Sequence, residues 1–434
     1  MTGLGLEQLA AGIAAAPTQQ RRGRVVKVVG TMVEAELPGA RIGEACRIEG
    51  ACEAETVGFR DGRALLMPLG SIEGVRYGAA VRTLGEMPTV AVGEALRGRV
   101  IDGHGAPIDG KGPLRTTSRR PLHAAAPDPM ARSLIRSSLP TGVKVLDGLL
   151  TFGRGQRVGL MAGSGVGKST LMGMVARRSE ADVNVIALIG ERGREVREFI
   201  EEILGEEGLA RSVLVVVTSD QSPVLQIRGA FLAATVADWF RDQGQDVMFF
   251  MDSATRLAMA QRQIGLSTGE PPTTKGYTPS VFGLLPRLLE RAGPGAHGGS
   301  ITAIYTVLID GDDIHDPIGD AVRGIVDGHI VLSRRMVARG RFPAVDVLQS
   351  ISRVMTSVVG PAHQEVARRA RELLSTYEEN EELVRLGAYK AGSSAEVDAA
   401  IGRIDGLRRF LAQRHTESVP FDVTLAALSE ATTG

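Results

Sequence analysis

A chain of 434 residues is too long for a single hydrophobic core and indicates two or three domains. Its 50 basic side chains balance 50 acidic ones, so the net charge gives no general reason to bind nucleic acid or an anionic membrane. No apolar run approaches the length of a membrane span, and residues 1–20 lack the pattern of a signal peptide. The two cysteines, Cys46 and Cys52, exclude a disulfide framework and favour buried thiols in a reducing cytosol.

The first ninety residues combine one helical pattern with several short strand patterns. Apolar side chains recur at helical spacing over residues 4–16, and the pattern ends at Pro17. Between residues 24 and 84, short β-rich runs are each closed by glycine or proline. We interpret Gly30 as a bulge and Asp61-Gly62 as a hairpin turn. Together these runs predict a small closed β-barrel.

The middle of the chain alternates apolar runs with helical stretches. The runs are continuous rather than alternating, which is typical of strands buried on both faces of a mostly parallel sheet. Their bounds are Gln156–Leu160, Val183–Ile189, Val213–Val217, Val247–Met251 and Ile301–Leu308. Past Val359 helix formers dominate. The predicted domains are a helix and barrel at 1–92, a three-layer α/β core at 93–358 and a helical domain at 359–434.

A glycine-rich loop follows the first of these strands and indicates a nucleoside triphosphate site. Its glycines let the backbone approach phosphate oxygens, and a helix starting near Lys168 offers unpaired N–H groups to them. Lys168 is then expected to reach the β- and γ-phosphates, and Ser169 to hold Mg²⁺. An ordinary glycine-rich turn would need neither side chain at this spacing. The predicted binding residues are Ala162, which replaces the glycine of the strict pattern, and Gly163, Ser164, Gly165, Val166, Gly167, Lys168, Ser169 and Thr170.

Two acidic residues follow later strands, at the sheet edge where open α/β sheets bind their ligands. We expect Glu191 to orient and polarise an attacking water, with Arg192 fixing it or contacting phosphate. Asp252 is expected to bind a Mg²⁺-coordinated water. The alternatives are the first turn of a charged helix for Glu191 and Arg192, and a simple strand end for Asp252.

Arg353 lies beyond the core strands. A cation there could act as an arginine finger on a γ-phosphate, an effect of about 10³ to 10⁵ in rate. The sequence pattern alone favours a surface arginine at a domain junction.

Taken in order, the phosphate loop, Gly190-Glu191-Arg192, the Asp252 strand and residues 342–353 resemble the rotary-type ATPases. The similarity is greatest to the flagellar and type III secretion export ATPases, and it is dense over residues 93–355. It implies a six-stranded barrel, a RecA-like core, a C-terminal helical domain and a ring of six identical subunits with ATP at their interfaces.

The resemblance also implies roles for single residues. It makes Glu191 the catalytic carboxylate and Arg353 a finger supplied to the neighbouring subunit. It places Phe342 beside the adenine, and leaves open whether Phe410 or Phe421 is a second aromatic there.

The predicted function is ATP hydrolysis that energises flagellar protein export, by unloading or unfolding exported proteins and their chaperones. The amino-acid sequences of residues 93–112 and 181–197 resemble those of the flagellar type. A virulence-type secretion ATPase, an ATP synthase catalytic subunit and an RNA translocase are the alternatives. The last needs aromatic stacking positions in the barrel, yet Phe59 and Tyr77 are the only aromatics between residues 24 and 90.

Partners and location are implied by the resemblance alone. They are a regulatory dimer at the N-terminal helix, a stalk-like coiled coil at the C-terminal face, and a cytoplasmic location with peripheral contact at the export gate of the inner membrane. No nucleic acid partner is expected. Residues 4–16 fit the dimer contact, but they equally fit a helix that packs on its own domain. Residues 269–277 are expected to face the ring's centre, or else form a surface loop.

Overall fold

The computed structural model describes residues 21–433 except 86, 117, 297 and 310–315. The helix predicted at 4–16 lies outside the described residues. No helix in the described ranges is long and apolar enough to cross a membrane.

A closed six-stranded barrel begins the described chain, as predicted, with strand order β1-β2-β5-β4-β3-β6. Asp61 and Gly62 form the β4–β5 turn with φ of 48° and 75°, as a tight hairpin turn requires. The prediction of a bulge at Gly30 was wrong. Gly30 lies in the β1–β2 turn with φ of 56°, and the register shift falls between Val25 and Lys27. The strands are β1 (Arg22–Val29), β2 (Met32–Glu36), β3 (Ala45–Ile48), β4 (Glu53–Arg60), β5 (Arg63–Pro68) and β6 (Ala80–Thr83).

The core is a sheet in the order β17-β16-β10-β15-β13-β11-β12-β8, in which only β17 pairs antiparallel along this path. All five predicted core strands are present. Every residue of β11 is buried, since helices cover both faces of the sheet. The strands are β7 (Thr89–Val92), β8 (Arg99–Asp102), β9 (Ser118–Pro121), β10 (Arg157–Ala162), β11 (Val183–Glu191), β12 (Ser212–Thr218), β13 (Asp246–Asp252), β14 (Gly293–Pro294), β15 (Ser300–Leu308), β16 (Gly328–Leu332) and β17 (Val345–Ser352).

The helices enclose two apolar layers, one on each face of the sheet. Along β11, Val185 and Ala187 join one layer while Ile186 and Leu188 join the other, because successive strand residues point to opposite faces. The helices are α1 (Lys144–Leu149), α2 (Lys168–Arg178), α3 (Gly193–Glu198), α4 (Gly205–Ala210), α5 (Pro223–Asp242), α6 (Ala254–Thr268), α7 (Pro279–Leu289), α8 (Pro317–Ile325), α9 (Arg334–Ala338), α10 (Met355–Val358), α11 (Pro361–Arg385), α12 (Ala395–Leu411) and α13 (Phe421–Thr433), with a π-turn at Phe199–Leu204.

The C-terminal helices α11, α12 and α13 pack on one another, as the helical composition predicts. Ser394 caps α12 by accepting a hydrogen bond from the Val397 N–H. Phe410 and Leu428 share an apolar cluster with Leu146 of α1. The helical part is therefore packed directly against the core domain.

A buried ion network joins α5 to the end of α7. Arg291 is 1% exposed, and its guanidinium lies 2.5 Å from Asp238 Oδ2 and donates to the Leu122 carbonyl at 3.0 Å. Arg241 contacts Asp238 from the other side at 3.0 Å. Removing Asp238 would leave the buried guanidinium of Arg291 without a compensating charge.

We expect Asp238→Ala to lower the free energy of unfolding by about 3–5 kcal/mol, because it leaves Arg291 buried without its carboxylate. Urea unfolding measures the change. Glu365→Ala, which removes a partner of the exposed Arg368, is the control and should change it little. A small loss in Asp238→Ala would show that water reaches Arg291.

His123 lies beside the same network, edge-on to Phe231 at 4.9 Å between ring centroids. Burial, followed by the charges of Arg287, Arg291 and Arg228, lowers the pKa of His123 to about 4. The unfolded chain binds this proton near pH 6.5, whereas the folded chain binds it only near pH 4. Stability is therefore lost as the pH falls through this window.

We expect His123→Gln to flatten the decline in unfolding free energy between pH 6.5 and pH 4, because its amide does not titrate. Urea unfolding at intervals across this range measures the slope. The same change at the exposed His104 is the control and should leave the slope unaltered. An unchanged slope in His123→Gln would mean that His123 is protonated in the folded protein.

Candidate nucleotide site

The phosphate loop connects β10 to α2 and forms a concave backbone turn. Ala162 ends the strand and is buried, so the alanine at this position points into the core rather than into the loop. Gly165 and Gly167 have φ of 76° and 91°, a left-handed conformation that favours glycine. The first intrahelical bond runs from the Leu171 N–H to the Gly167 carbonyl, which leaves the preceding amides to face a ligand.

Three charged side chains meet at the carboxyl ends of β11 and β13. Lys168 Nζ lies 2.5 Å from Asp252 Oδ1 and 3.6 Å from Glu191 Oε1. Asp252 Oδ1 also accepts a hydrogen bond from Thr306 at 2.7 Å. Glu191 is 8% exposed, and its Oε1 atom is buried without a hydrogen-bond partner. This oxygen is available for a water or a ligand.

The surroundings of Glu191 make it an unusually weak acid. Burial and the nearby Asp252 carboxylate raise its pKa to about 7, while Lys168 opposes the shift. Burial also disfavours the charged form of Lys168, but Asp252 and Glu191 together raise its pKa above the ordinary value. The cluster thus combines a persistent cation with a carboxylate that can exchange a proton near neutral pH.

A cavity of about 590 Å³ opens in front of this cluster. Arg192 occupies the N-cap position of α3 without a side-chain capping bond, and it pairs with Glu195 at 3.2 Å with most of its side chain in solvent. The structure therefore brings together most of the predicted catalytic, phosphate and metal residues. The cavity is lined by Gly163, Ser164, Gly165, Gly167, Lys168, Ser169, Thr170, Glu191, Arg192 and Asp252, among others.

A second cavity of about 700 Å³ adjoins the first and shares Gly165, Gly167 and Thr170 with it. Val166, Phe342 and residues 412–417 form part of its wall. The backbone N–H of Gln413 donates to the Phe342 carbonyl at 3.0 Å, which joins these two segments.

Neither of the two candidate second aromatics lines this cavity. Phe410 is buried against Gly148, and Phe421 packs on His363 at 5.9 Å. Phe410 thus packs against α1 and Phe421 against α11, and the loop after α12 lines the cavity instead.

Sequence reasoning missed Arg256. Its side chain lines the phosphate cavity and packs against Gly190, and its Nε atom is buried without a hydrogen-bond partner. Its charge also lowers the pKa of Glu191, against the larger effect of burial. The signal was its place four residues after Asp252, in the first turn of the helix that leaves the same sheet edge.

Arg353 lies at the end of the sheet opposite to the phosphate loop, where the parallel strands β10 and β16 begin. Because β17 runs antiparallel to β16, Ser352 pairs with Gly328 at the start of β16, next to the start of β10. The Arg353 N–H donates to the Asp327 carbonyl at 2.9 Å. The five residue steps along β10 to the phosphate loop span roughly 16 Å. Arg353 is therefore not among the residues around its own chain's phosphate cavity.

Three segments match known families in the order of the predicted domains. Residues 25–85 match the β-barrel domain of the ATP synthase alpha/beta family, and residues 142–352 match its nucleotide-binding domain. Residues 359–430 match the C-terminal domain of the type III secretion ATPase EscN.

Full-length relatives are similar along almost the entire chain. The flagellum-specific ATP synthase of Bacillus subtilis (strain 168) is 52% identical over 95% of this chain and 95% of its own. The type 3 secretion system ATPase of Xanthomonas euvesicatoria is 51% identical over 95% and 94%. The assembled ATPase EscN of the enteropathogenic E. coli type III secretion system superposes with a TM-score of 0.91 at 44% identity, covering 95% of this chain and 100% of that one.

The match extends through the barrel, the nucleotide-binding core and the C-terminal helices, and the phosphate cavity lies within the matched nucleotide-binding domain. This chain is therefore an ATP-binding ATPase that belongs to the ATP synthase alpha/beta family, in the group of flagellum-specific and type III secretion ATPases.

Proposed function

We propose that this ATPase works as a ring of six identical subunits that energises flagellar protein export. The observation that carries the proposal is the position of Arg353, at the sheet edge opposite to the phosphate loop. An arginine finger on this residue has to act on another copy's nucleotide. The similarity to the assembled ATPase EscN supports a ring for this chain as well.

Within one subunit, Lys168 binds the β- and γ-phosphates, and the glycine-rich backbone surrounds their oxygens. Lys168 then exchanges its contact with Asp252 for phosphate oxygens. Glu191 orients the attacking water by accepting its hydrogen bond at the free Oε1 atom, which polarises the water O–H bond and makes its oxygen a better nucleophile. Arg192 lines the solvent-facing side of the cavity, where it fixes the water or contacts a phosphate.

The residues present fit a magnesium ion. Ser169 and Asp252 offer a hydroxyl and a carboxylate to the same cavity. The described residues contain no group of three or more acidic, histidine or cysteine side chains that could hold a metal by itself. This suits Mg²⁺, which takes few protein ligands and completes its shell with water and phosphate oxygens. Bound there, Mg²⁺ would neutralise charge on the phosphates.

The second cavity is the proposed adenine site. Phe342 is about half exposed at its wall, so the phenyl ring can stack on a base. The same wall contains the backbone of residues 412–417, which links base binding to the C-terminal helices.

The flagellar assignment rests on the resemblance of residues 93–112 and 181–197. Relatives named for flagella and for type III secretion are almost equally similar, so a virulence-type ATPase is the second candidate. An ATP synthase catalytic subunit or an RNA translocase is less favoured, because residues 359–430 match the EscN C-terminal domain. Co-purification from cell lysate with flagellar or with virulence export components separates the two leading candidates.

The proposed partners follow the same reasoning. EscN in complex with its central stalk EscO superposes with a TM-score of 0.88, which supports a stalk-like coiled coil at the C-terminal face. We further propose a regulatory dimer at the N-terminal helix, exported proteins and chaperones as substrates, and a cytoplasmic location at the export gate. We also propose that the domains are divided after residues 92 and 358.

We expect ATPase activity per subunit to rise steeply with protein concentration, because each site needs a neighbour. Arg353→Ala should lose about 10³- to 10⁵-fold, and Glu191→Gln about 10²- to 10⁴-fold. A mixture of the two variants should regain activity, since some interfaces then combine an intact Glu191 with an intact Arg353. Steady-state turnover, measured together with the size of the assembly, gives the concentration dependence, the loss in each variant and the recovery in the mixture. Concentration-independent activity would sink the shared-site mechanism.

We expect Arg256→Gln to lower kcat/KM by roughly 10²-fold, because it removes a fixed donor from the phosphate cavity. Arg262→Gln is the matched control on the same helix, where the guanidinium stacks on Tyr277 at 5.4 Å instead. Steady-state kinetics of both variants give the comparison. Equal activities would assign Arg256 a purely structural role.

A further inference from the structure

The buried amide of Gln156 lies directly beneath the chain segment that carries Arg353. Gln156 is 0% exposed and precedes the first residue of β10. Its Nε2 atom donates to Ser352 Oγ at 3.1 Å and to the Asp327 carbonyl at 3.3 Å. These two acceptors are the residue before Arg353 and the residue that receives the Arg353 N–H.

Every polar atom of this side chain is used. Gln156 Oε1 accepts from the Gly153 N–H at 3.0 Å, so the amide also determines the path of the loop before β10. Ser352 Oγ in turn donates to the Thr151 carbonyl at 2.9 Å. A carboxamide is needed here because an apolar side chain can neither donate to two acceptors nor accept from the loop.

Asp327 is held from the other side. Arg157 binds its carboxylate through Nε and Nη2, both at 3.1 Å, and through the backbone N–H at 3.0 Å. The Asp327 carbonyl therefore has little freedom when it accepts from Arg353 and Gln156. The backbone on the N-terminal side of the Arg353 Cα atom is therefore held by Ser352 and by the Arg353 N–H.

The Arg353 side chain itself is not tied in this way. It is exposed, and its Nη1 atom lies 3.5 Å from the Val326 carbonyl, at the limit of a hydrogen bond. A residue that acts on a neighbouring molecule needs a fixed backbone position and a side chain that can extend away from its own subunit.

We propose that Gln156, through Ser352 and Asp327, is a positioning residue for Arg353 in the neighbour's active site. The proposal rests on the trans-acting role of Arg353 proposed above. It also makes β10 the connection between the neighbour's active site and the subunit's own. The first residue of β10 follows Gln156, and its last residue leads into the phosphate loop.

The test compares Gln156→Leu with a matched control, Asn184→Leu. Asn184 is also a fully buried amide, which donates to the Ala176 carbonyl and to Ser212, away from Arg353. We expect Gln156→Leu rings to keep the wild-type KM for ATP and to lose about 10- to 100-fold in kcat, since a small displacement of a catalytic group costs this much. Asn184→Leu should retain the wild-type kcat.

Mixing distinguishes positioning from damage to the subunit's own site. Each variant is mixed with excess Glu191→Gln, which presents an intact finger and whose own slow hydrolysis, expected about 10²- to 10⁴-fold below wild type, is measured alone and subtracted. Gln156→Leu should recover per-site turnover to the same extent as Arg353→Ala, because its own Glu191 then faces a correctly placed arginine. The recovery is absent if Gln156 acts on its own nucleotide or on folding.

Each result decides the question. Recovery of both variants supports the proposal, whereas recovery of Arg353→Ala alone overturns it and leaves the proposed function intact. No recovery of Arg353→Ala overturns the trans-acting finger and the inference with it. Should Gln156→Leu fail to fold, Ser352→Ala removes the same hydrogen bond without changing the loop amide. A wild-type kcat in folded rings of Ser352→Ala overturns the proposal.

Discussion

The direction of β10 is the constraint on which the rest of the molecule depends. Its carboxyl end leads into the glycine loop, and its amino end lies against Asp327 and the Arg353 segment. A parallel sheet separates these two edges by the length of its strands, so Arg353 lies far from its own chain's phosphate loop. Under the proposed finger role of Arg353, cooperation between copies is a consequence of strand direction.

The second organising feature is the charge balance at the phosphate edge. Lys168 lies beside the two carboxylates Glu191 and Asp252 inside a nearly buried site, and Arg256 lines the same cavity. Burial and the Asp252 carboxylate raise the pKa of Glu191, while the two cations oppose the shift. The cations attract polyphosphate oxygens, and the carboxylates attract a metal ion. The site is preorganised for both rather than for either alone.

The C-terminal helices contribute to the nucleotide site through packing. The loop of residues 412–417 forms one wall of the second cavity, while α12 and α13 share an apolar cluster with α1. Movement of these helices would alter the wall of the proposed base site, because Gln413 is joined to Phe342 by a hydrogen bond. The same helices present the face on which a stalk is proposed. Nucleotide state and partner binding therefore have a short physical connection.

Sequence by itself determined the barrel, five strands of the core sheet, the phosphate loop and the candidates Lys168, Glu191 and Asp252, because hydrophobic period and loop chemistry are local properties of the chain. The bulge at Gly30 was mistaken since a glycine pattern does not distinguish a bulge from a turn. Only the tertiary structure decided that Arg256 lines the cavity in front of the phosphate loop, that residues 412–417 rather than Phe410 or Phe421 line the second cavity, and that Arg353 lies at the far edge. These facts depend on strand order and on packing between distant segments, which no local pattern encodes.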